Sequence, residues 1–140
     1  LVLGGVVKFL DSRNDLHGVL GDRALPAVEI VPAIKEFDYT AKYQTGGARE
    51  ICPAPITPDQ QEEMGALALK LHRTLGLEVY SRTDFLLDDD GKFWCLEVNS
   101  LPGMTAASLV PKEAAAAGMT YNELCEEIVR QSYELKRRAY

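Results

Sequence analysis

Asp84, Glu97 and Asn99 are the residues of this chain whose types and spacing best suit chemistry. They sit in Arg82-Thr83-Asp84-Phe85-Leu86-Leu87-Asp88-Asp89-Asp90-Gly91-Lys92-Phe93-Trp94-Cys95-Leu96-Glu97-Val98-Asn99, two strand-like runs around an acidic turn. Side chains alternate faces along a strand, so Arg82 and Asp84 share a face of the first run and Glu97 and Asn99 share a face of the second. Asp-Gly is a favoured two-residue hairpin loop. With Asp90-Gly91 as that loop, Asp89 faces Lys92, Asp84 faces Glu97 and Arg82 faces Asn99. Partners directly opposed in an antiparallel pair have Cβ atoms ~4.5–5.5 Å apart. Two carboxylates so placed repel each other, and a bound divalent cation removes that cost. Oxygen ligands alone, with an amide beside them, favour Mg2+ over zinc. A solvated acidic face, with Arg82 merely neutralising Asp84, is compatible with the same spacing.

The residues after Asn99 shift the balance. Ser100-Leu101-Pro102-Gly103-Met104-Thr105 is a rigid turn around a glycine, where backbone N–H groups can approach a ligand closely. Ser108 follows, before an alanine-rich helical stretch. Metal ligands, a cation, a glycine turn and a hydroxyl so close together resemble a phosphoryl-transfer site.

Several elements must position this group. Thr57-Pro58-Asp59-Gln60 is a helix start: Thr57 caps, Pro58 suits the first helical position and Gln60 completes a capping box. Met64, Leu67, Ala68, Leu71 and Leu75 recur at helical spacing, and Gly76 ends the helix. Strands are expected over Val79–Leu87 and Lys92–Asn99. Thr120-Tyr121-Asn122-Glu123 is a second capping box, opening a last helix with Leu124, Ile128 and Leu135 on its buried side. Upstream, Val2–Leu10 reads as a strand and Asp11–Asp15 as a polar turn. Val19–Ile34, cut by Gly21, Pro26 and Pro32, reads as short strands. Gln44–Ala48 reads as a flexible loop. The pattern is α+β, an antiparallel sheet with flanking helices.

Bulk properties narrow the functional classes. The 140 residues fit one domain, and 46% hydrophobic with 26% charged residues allows a core. A net charge of −6 argues against a nucleic-acid surface or an anionic membrane surface. Lys136-Arg137-Arg138 is a basic cluster that suits a helix C-terminus. The 3 cysteines, Cys52, Cys95 and Cys125, form no C-x-x-C pair, so a zinc site is not expected and a reduced, cytoplasmic setting is. No apolar run approaches the ~20 residues needed to span a bilayer. The chain begins at Leu1, as a fragment or processed product would.

These motifs together resemble a known family. Arg82-Thr83-Asp84-Phe85, Leu96-Glu97-Val98-Asn99-Ser100-Leu101-Pro102-Gly103-Met104-Thr105 and Ser108-Leu109-Val110-Pro111 are similar to the C-terminal signature of D-alanine–D-alanine ligases, members of the ATP-grasp superfamily. Upstream, Glu36-Phe37-Asp38-Tyr39-Thr40-Ala41-Lys42-Tyr43 and Cys52-Pro53-Ala54-Pro55 match as well. The resemblance covers about residues 17–140, leaving 1–16 unassigned. It implies the C-terminal part of an ATP-grasp domain in a cytoplasmic enzyme of peptidoglycan precursor synthesis, homodimeric when complete. ATP phosphorylates the carboxylate of one D-alanine, and the amine of a second attacks the acyl phosphate. The resemblance further implies that Asp84, Glu97 and Asn99 hold two Mg2+ (or Mn2+) ions, with Glu97 bridging. Arg82 and the Gly103 N–H then stabilise the oxyanion, and Ser108 with the Leu109 backbone grips the carboxylate of the second D-alanine. Lys42 contacts the phosphates, and Tyr43 lies on a loop that closes over the site. Tyr43 favours D-alanine as acceptor, since depsipeptide-forming relatives tend to carry Phe there. His17, His72 and Trp94 are read as structural. The family's N-terminal domain and Gly-rich phosphate loop have no counterpart in these residues, so the isolated chain is expected to be an incomplete, inactive part. A D-serine- or D-lactate-accepting ligase and a non-catalytic fragment are the competing readings.

Overall fold

The computed structural model describes residues 13–31 and 48–138. Its centre is an antiparallel sheet. Strands β1 (Arg13–Leu20), β2 (Arg23–Ala24), β3 (Val28–Val31), β4 (Arg49–Ile51), β5 (Tyr80–Leu87) and β6 (Phe93–Asn99) run in the order β4-β3-β1-β5-β6, with β2 paired to β1. Three helices cover it: α1 (Pro58–Thr74), α2 (Leu109–Ala116) and α3 (Tyr121–Arg138).

The twofold alternation of strands separates two cores. Val19, Phe85, Leu87 and Phe93 pack with Met64 and Ala68 of α1 on one face. Leu20 and Leu25 pack with Val110, Ala114 and Leu124 from α2 and α3 on the other. Val19 and Leu20 are neighbours in sequence and lie in different cores, as a period of two requires. In β5, Ser81, Thr83, Phe85 and Leu87 are buried, while Tyr80, Arg82, Asp84 and Leu86 are half-buried. Tyr80 packs against the second core, so Arg82 and Asp84 share the face that carries α2 and α3. Full burial of a side chain such as Phe85, 1% exposed, is worth roughly 1.5–3 kcal/mol.

The helix starts form as the sequence predicts. Thr57 accepts from the Gln60 N–H and the Gln60 side chain accepts from the Thr57 N–H, and Gly76 ends the helix at φ 67°. Leu75 differs from expectation: it is the C-cap and is exposed, since the buried stripe ends one turn earlier, at His72. Thr120 and Glu123 exchange hydrogen bonds at the start of α3.

Three upstream expectations fare differently. Val2–Leu10 lies outside the described residues. So does most of the Gln44–Ala48 loop. The polar run read as a turn is, from Arg13 onward, the start of β1. Cross-strand neutralisation makes this possible. Arg13 bonds Glu29 of β3 at 2.8 Å and lies 3.8 Å from Asp15, whose fully buried carboxyl is pushed up to about 6 by desolvation.

Candidate active site

Asp84 stands directly opposite Glu97, and Arg82 opposite Asn99, as the chemistry requires. The route to that pairing is not the expected one. The loop has three residues, Asp89-Asp90-Gly91, and the residue facing Lys92 is Asp88, not Asp89: the Asp88 N–H donates to the Lys92 carbonyl at 3.1 Å. The Gly91 N–H donates to the Asp88 carbonyl at 3.0 Å, and Gly91 takes φ 78°, the left-handed position that ends a three-residue hairpin loop. The Asp88 carboxylate accepts from the N–H groups of Asp90 and Lys92 and from the Trp94 indole, holding the turn from inside. That ties Trp94 to the turn rather than to the Asp84–Glu97 group.

The longer loop shifts the register by one residue near the turn, pairing Phe85 with Cys95 and Leu87 with Phe93. A β-bulge then restores it. Between the Phe85–Cys95 and Asp84–Glu97 pairs, Leu96 is the extra residue. The bulge also changes which face β6 presents. Unbroken alternation would put Phe93 and Glu97 on one side. With Leu96 inserted, Phe93 enters the α1 core while Glu97 and Asn99 join Arg82 and Asp84 on the opposite face.

On that face Arg82 bridges the acids. Its Nε donates to Asp84 Oδ1 at 2.8 Å and its Nη2 to Asp84 Oδ2 at 3.2 Å, and the same Nη2 lies 3.9 Å from Glu97 Oε1. Arg82 and Asp84 are 17% and 16% exposed and Glu97 is 64%, so the pair is screened on the inside and open at Glu97. The Asn99 Oδ1 accepts from the Leu101 N–H at 3.0 Å, which leaves it one lone pair. Among the described residues no three His, Cys, Asp or Glu side chains are grouped as a metal cluster. The donor set is two carboxylates and an amide oxygen, all hard ligands, which fits a magnesium-like cation and not zinc.

The glycine turn lies against the start of α2. A Cβ on Gly103 would come within 2.9 Å of the Ser108 Oγ, so a side chain there would displace that hydroxyl. Ser108 is the N-cap of α2 but makes no side-chain cap. Its Oγ instead bonds the N–H and hydroxyl of Thr105 at 3.1 and 2.8 Å. The first N–H groups of a helix have no intrahelical partner and favour an anion, so Leu109 and Val110 offer donors suited to a carboxylate. The Tyr121 hydroxyl donates to the Met104 carbonyl at 2.7 Å and fixes the turn to α3.

Lys42 and Tyr43 lie outside the described residues. His17 and His72 are buried and hydrogen-bonded: His72 Nδ1 to Ser81 Oγ at 2.7 Å, and His17 Nε2 to Gln61 Nε2 at 2.8 Å. Burial lowers both, His17 to about 4, so both are neutral near pH 7.

Sequence reasoning missed Glu113. It is fully buried in α2, and its Oε1 accepts from the Gly18 N–H at 2.8 Å. Gly18 is the direct partner of Arg82 across β1 and β5. A helical wheel of α2 carries the signal, because Glu113 falls on the same side as the buried Val110 and Ala114.

The comparisons with known proteins agree with this fold. The model of the family described as D-ala D-ala ligase C-terminus matches residues 6–130. A D-alanine–D-alanine ligase from Nitratidesulfovibrio vulgaris (strain DP4) is 51% identical over 113 residues, 80% of this chain and 37% of that protein. One from Desulfotalea psychrophila is 44% identical over 134 residues, 92% of this chain and 42% of that protein. The crystal structure of a D-alanine–D-alanine ligase from Bacillus anthracis superposes with a TM-score of 0.80 at 32% identity, covering 93% of this chain and 42% of that one. A D-Ala:D-Ser ligase from Enterococcus faecalis, 24% identical with a TM-score of 0.76, shares the fold over 86% of this chain and 36% of its own. The chain thus spans well under half the length of the relatives it matches. With that family model matching most of its length, the chain belongs to the D-ala D-ala ligase C-terminus family.

Proposed function

We propose that this chain supplies the metal-binding and acceptor-binding part of an ATP-dependent ligase that joins two D-alanines for peptidoglycan precursor synthesis. The observation that carries this reading is the pairing of Asp84 with Glu97 on the face that also bears Arg82 and Asn99, in a chain of this family. Relatives at about half identity bear the name D-alanine–D-alanine ligase.

In this reading Asp84, Glu97 and Asn99 hold Mg2+ (or Mn2+), and the ions when bound neutralise the phosphate charge as the phosphoryl group moves. Arg82 answers a different charge. In the free protein it is the counter-ion of Asp84. Its planar guanidinium would donate, with the Gly103 N–H, to the oxyanion formed as the second amine attacks the acyl phosphate. Ser108 and the Leu109 N–H take the carboxylate of that second D-alanine. Lys42 contacts the phosphates and Tyr43 closes a loop that keeps water from the acyl phosphate. These last two roles rest on the match of residues 36–43 to the family. A cytoplasmic setting and a homodimer belong to the same reading.

The protein expressed from its complete reading frame tests it. With ATP, Mg2+ and D-alanine it should release phosphate and D-alanyl-D-alanine in equal amounts. With D-alanine and D-lactate both present as acceptors, Tyr43→Phe should raise the depsipeptide relative to the dipeptide. Phosphate release that does not depend on D-alanine would refute the ligase reading. An unchanged product ratio would remove Tyr43 from acceptor choice.

A further inference from the structure

Glu113 is an odd residue to bury. Its carboxyl sits between α2 and β1, fully shielded, with Oε1 bonded to the Gly18 N–H and Oε2 without a hydrogen-bond partner. An unsatisfied buried oxygen costs stability, and an apolar side chain of the same size would pack beside Val110 and Ala114 without that cost. Packing therefore does not explain the choice of glutamate.

The strand geometry does. The Gly18 carbonyl accepts from the Leu25 N–H at 2.8 Å, so Gly18 bonds away from β5. The pairs between β1 and β3 end at Leu16–Val28; continuing that register would bring Pro26 opposite Gly18, where the chain instead turns off toward β2. The Glu113 carboxylate takes the place of the missing strand. Only glycine admits it: a Cβ on residue 18 would lie 2.4 Å from Oε2. From the opposite face the same residue is held by a chain of bonds. The Ala27 N–H donates to Gln61 Oε1 at 3.2 Å, Gln61 Nε2 meets His17 Nε2 at 2.8 Å, and His17 Nδ1 meets the Gly18 carbonyl at 3.2 Å. Gly18 is thus fixed from both sides, directly across from Arg82. Glu113 lies one helical turn beyond Leu109 on α2, so its bond reaches from the helix that begins with the acceptor clamp to the strand pair that carries the oxyanion donor.

We propose that Glu113 is a positioning residue: its hydrogen bond to Gly18 sets the placement of the Ser108–Leu109 clamp relative to Arg82, and so the approach of the acceptor amine. This rests on the ligase reading above. The carboxyl acts as a neutral acceptor. Burial pushes it up to about 8, with the Arg82 charge opposing that rise and Asp84 adding to it. Glutamine can replace it in this role, whereas leucine cannot.

Steady-state kinetics on the protein from its complete reading frame provides the test. Glu113→Leu should raise KM for the acceptor D-alanine on the order of 10-fold or more, because small misplacements of a bound reactant are costly, while KM for ATP changes little. Glu113→Gln should recover most of that loss. A Leu variant with wild-type acceptor KM would overturn the proposal, as would parallel loss of acceptor and ATP affinity that Gln does not rescue. If the Leu variant does not fold, Gly18→Ala displaces the carboxylate from the other side and should give the same acceptor-selective defect; an unchanged acceptor KM there is equally fatal. Absence of ligase activity in the wild type would refute the ligase reading alone. Hydrogen exchange then decides the tie itself. The amides of α2 should lose protection relative to those of β5 in Glu113→Leu and keep it in Glu113→Gln, and equal protection in all three proteins would overturn it.

Discussion

In the ligase reading proposed above, two roles compete for Arg82. In the free protein its guanidinium satisfies Asp84 through two contacts and approaches Glu97, which a lysine ammonium could also do as a point charge. In that reading, stabilising the oxyanion of the tetrahedral intermediate calls for the fixed fork of donors. Arg82→Lys should therefore lower kcat by ~10²–10³, with a smaller change in KM for ATP. The melting temperature should fall only modestly, since a partly shielded ion pair is retained. A normal kcat per folded molecule beside a large loss of melting temperature would reduce Arg82 to a counter-ion for Asp84. Alternation along a strand made the Arg82, Asp84, Glu97 and Asn99 set readable from sequence, because a period of two needs no knowledge of neighbours. Glu113 escaped notice because the reading of α2 stopped at its alanines.

At the scale of the element, the hairpin from Tyr80 to Asn99 holds the site by two compensating irregularities. The three-residue loop offsets the strands by one residue, and the bulge at Leu96 removes the offset before Glu97. Without the bulge, either Phe93 would leave the α1 core or Glu97 would enter it. The loop in turn depends on Gly91, whose φ is 78° and whose missing Cβ would touch nothing within 4 Å. Substitution there carries backbone strain and no steric clash. Gly91→Ala should cost roughly 1–2 kcal/mol in urea unfolding, and Gly91→Asn distinctly less, since Asn visits the left-handed region more readily. Equal stability of Gly91→Ala and the parent would mean that the loop relaxes to another form, and the register argument would lose its anchor.

For the whole molecule, the sheet lies between two apolar layers, and the ionisable groups caught there tie stability to pH. His17 has its native pKa lowered to about 4 and Asp15 its own raised to about 6, so their contributions change mainly below pH 6.5. Cys52, raised to about 11, acts only in the alkaline range. Between pH 6.5 and 8 Glu113 dominates. Its native pKa of about 8 exceeds the ordinary 4.5, so the folded protein holds a proton that the unfolded chain has released. Its stability contribution is fully present below 4.5 and is lost as pH rises toward and through about 8. The urea midpoint should therefore fall from pH 6.5 to 8 in the parent, and fall much less in Glu113→Gln. The same slope in both proteins would show that Glu113 is ionised throughout.

What the sequence determined by itself was local. Thr57 with Gln60 and Thr120 with Glu123 mark helix starts because capping involves residues three apart, and the oxygen-rich set around Asp84 and Glu97 is legible because it is a property of the residue types. The α+β class follows from those periods. The tertiary structure alone decided how the pieces register. The Asp90-Gly91 reading reached the right partner for Asp84 through a loop one residue too short, since a bulge is set by which side chains the core accepts and not by the turn. It also decided that Arg13 and Asp15 extend a strand, because Arg13, paired with Glu29 across the sheet and close to Asp15 on its own strand, offsets the charge of what looks like a polar turn. Most of all it placed the buried carboxyl of Glu113 against the N–H of Gly18, 95 residues away in the chain. No local pattern joins a glycine whose N–H faces no neighbouring strand to a glutamate on a distant helix; only packing α2 on the sheet brings that N–H and the buried carboxyl together.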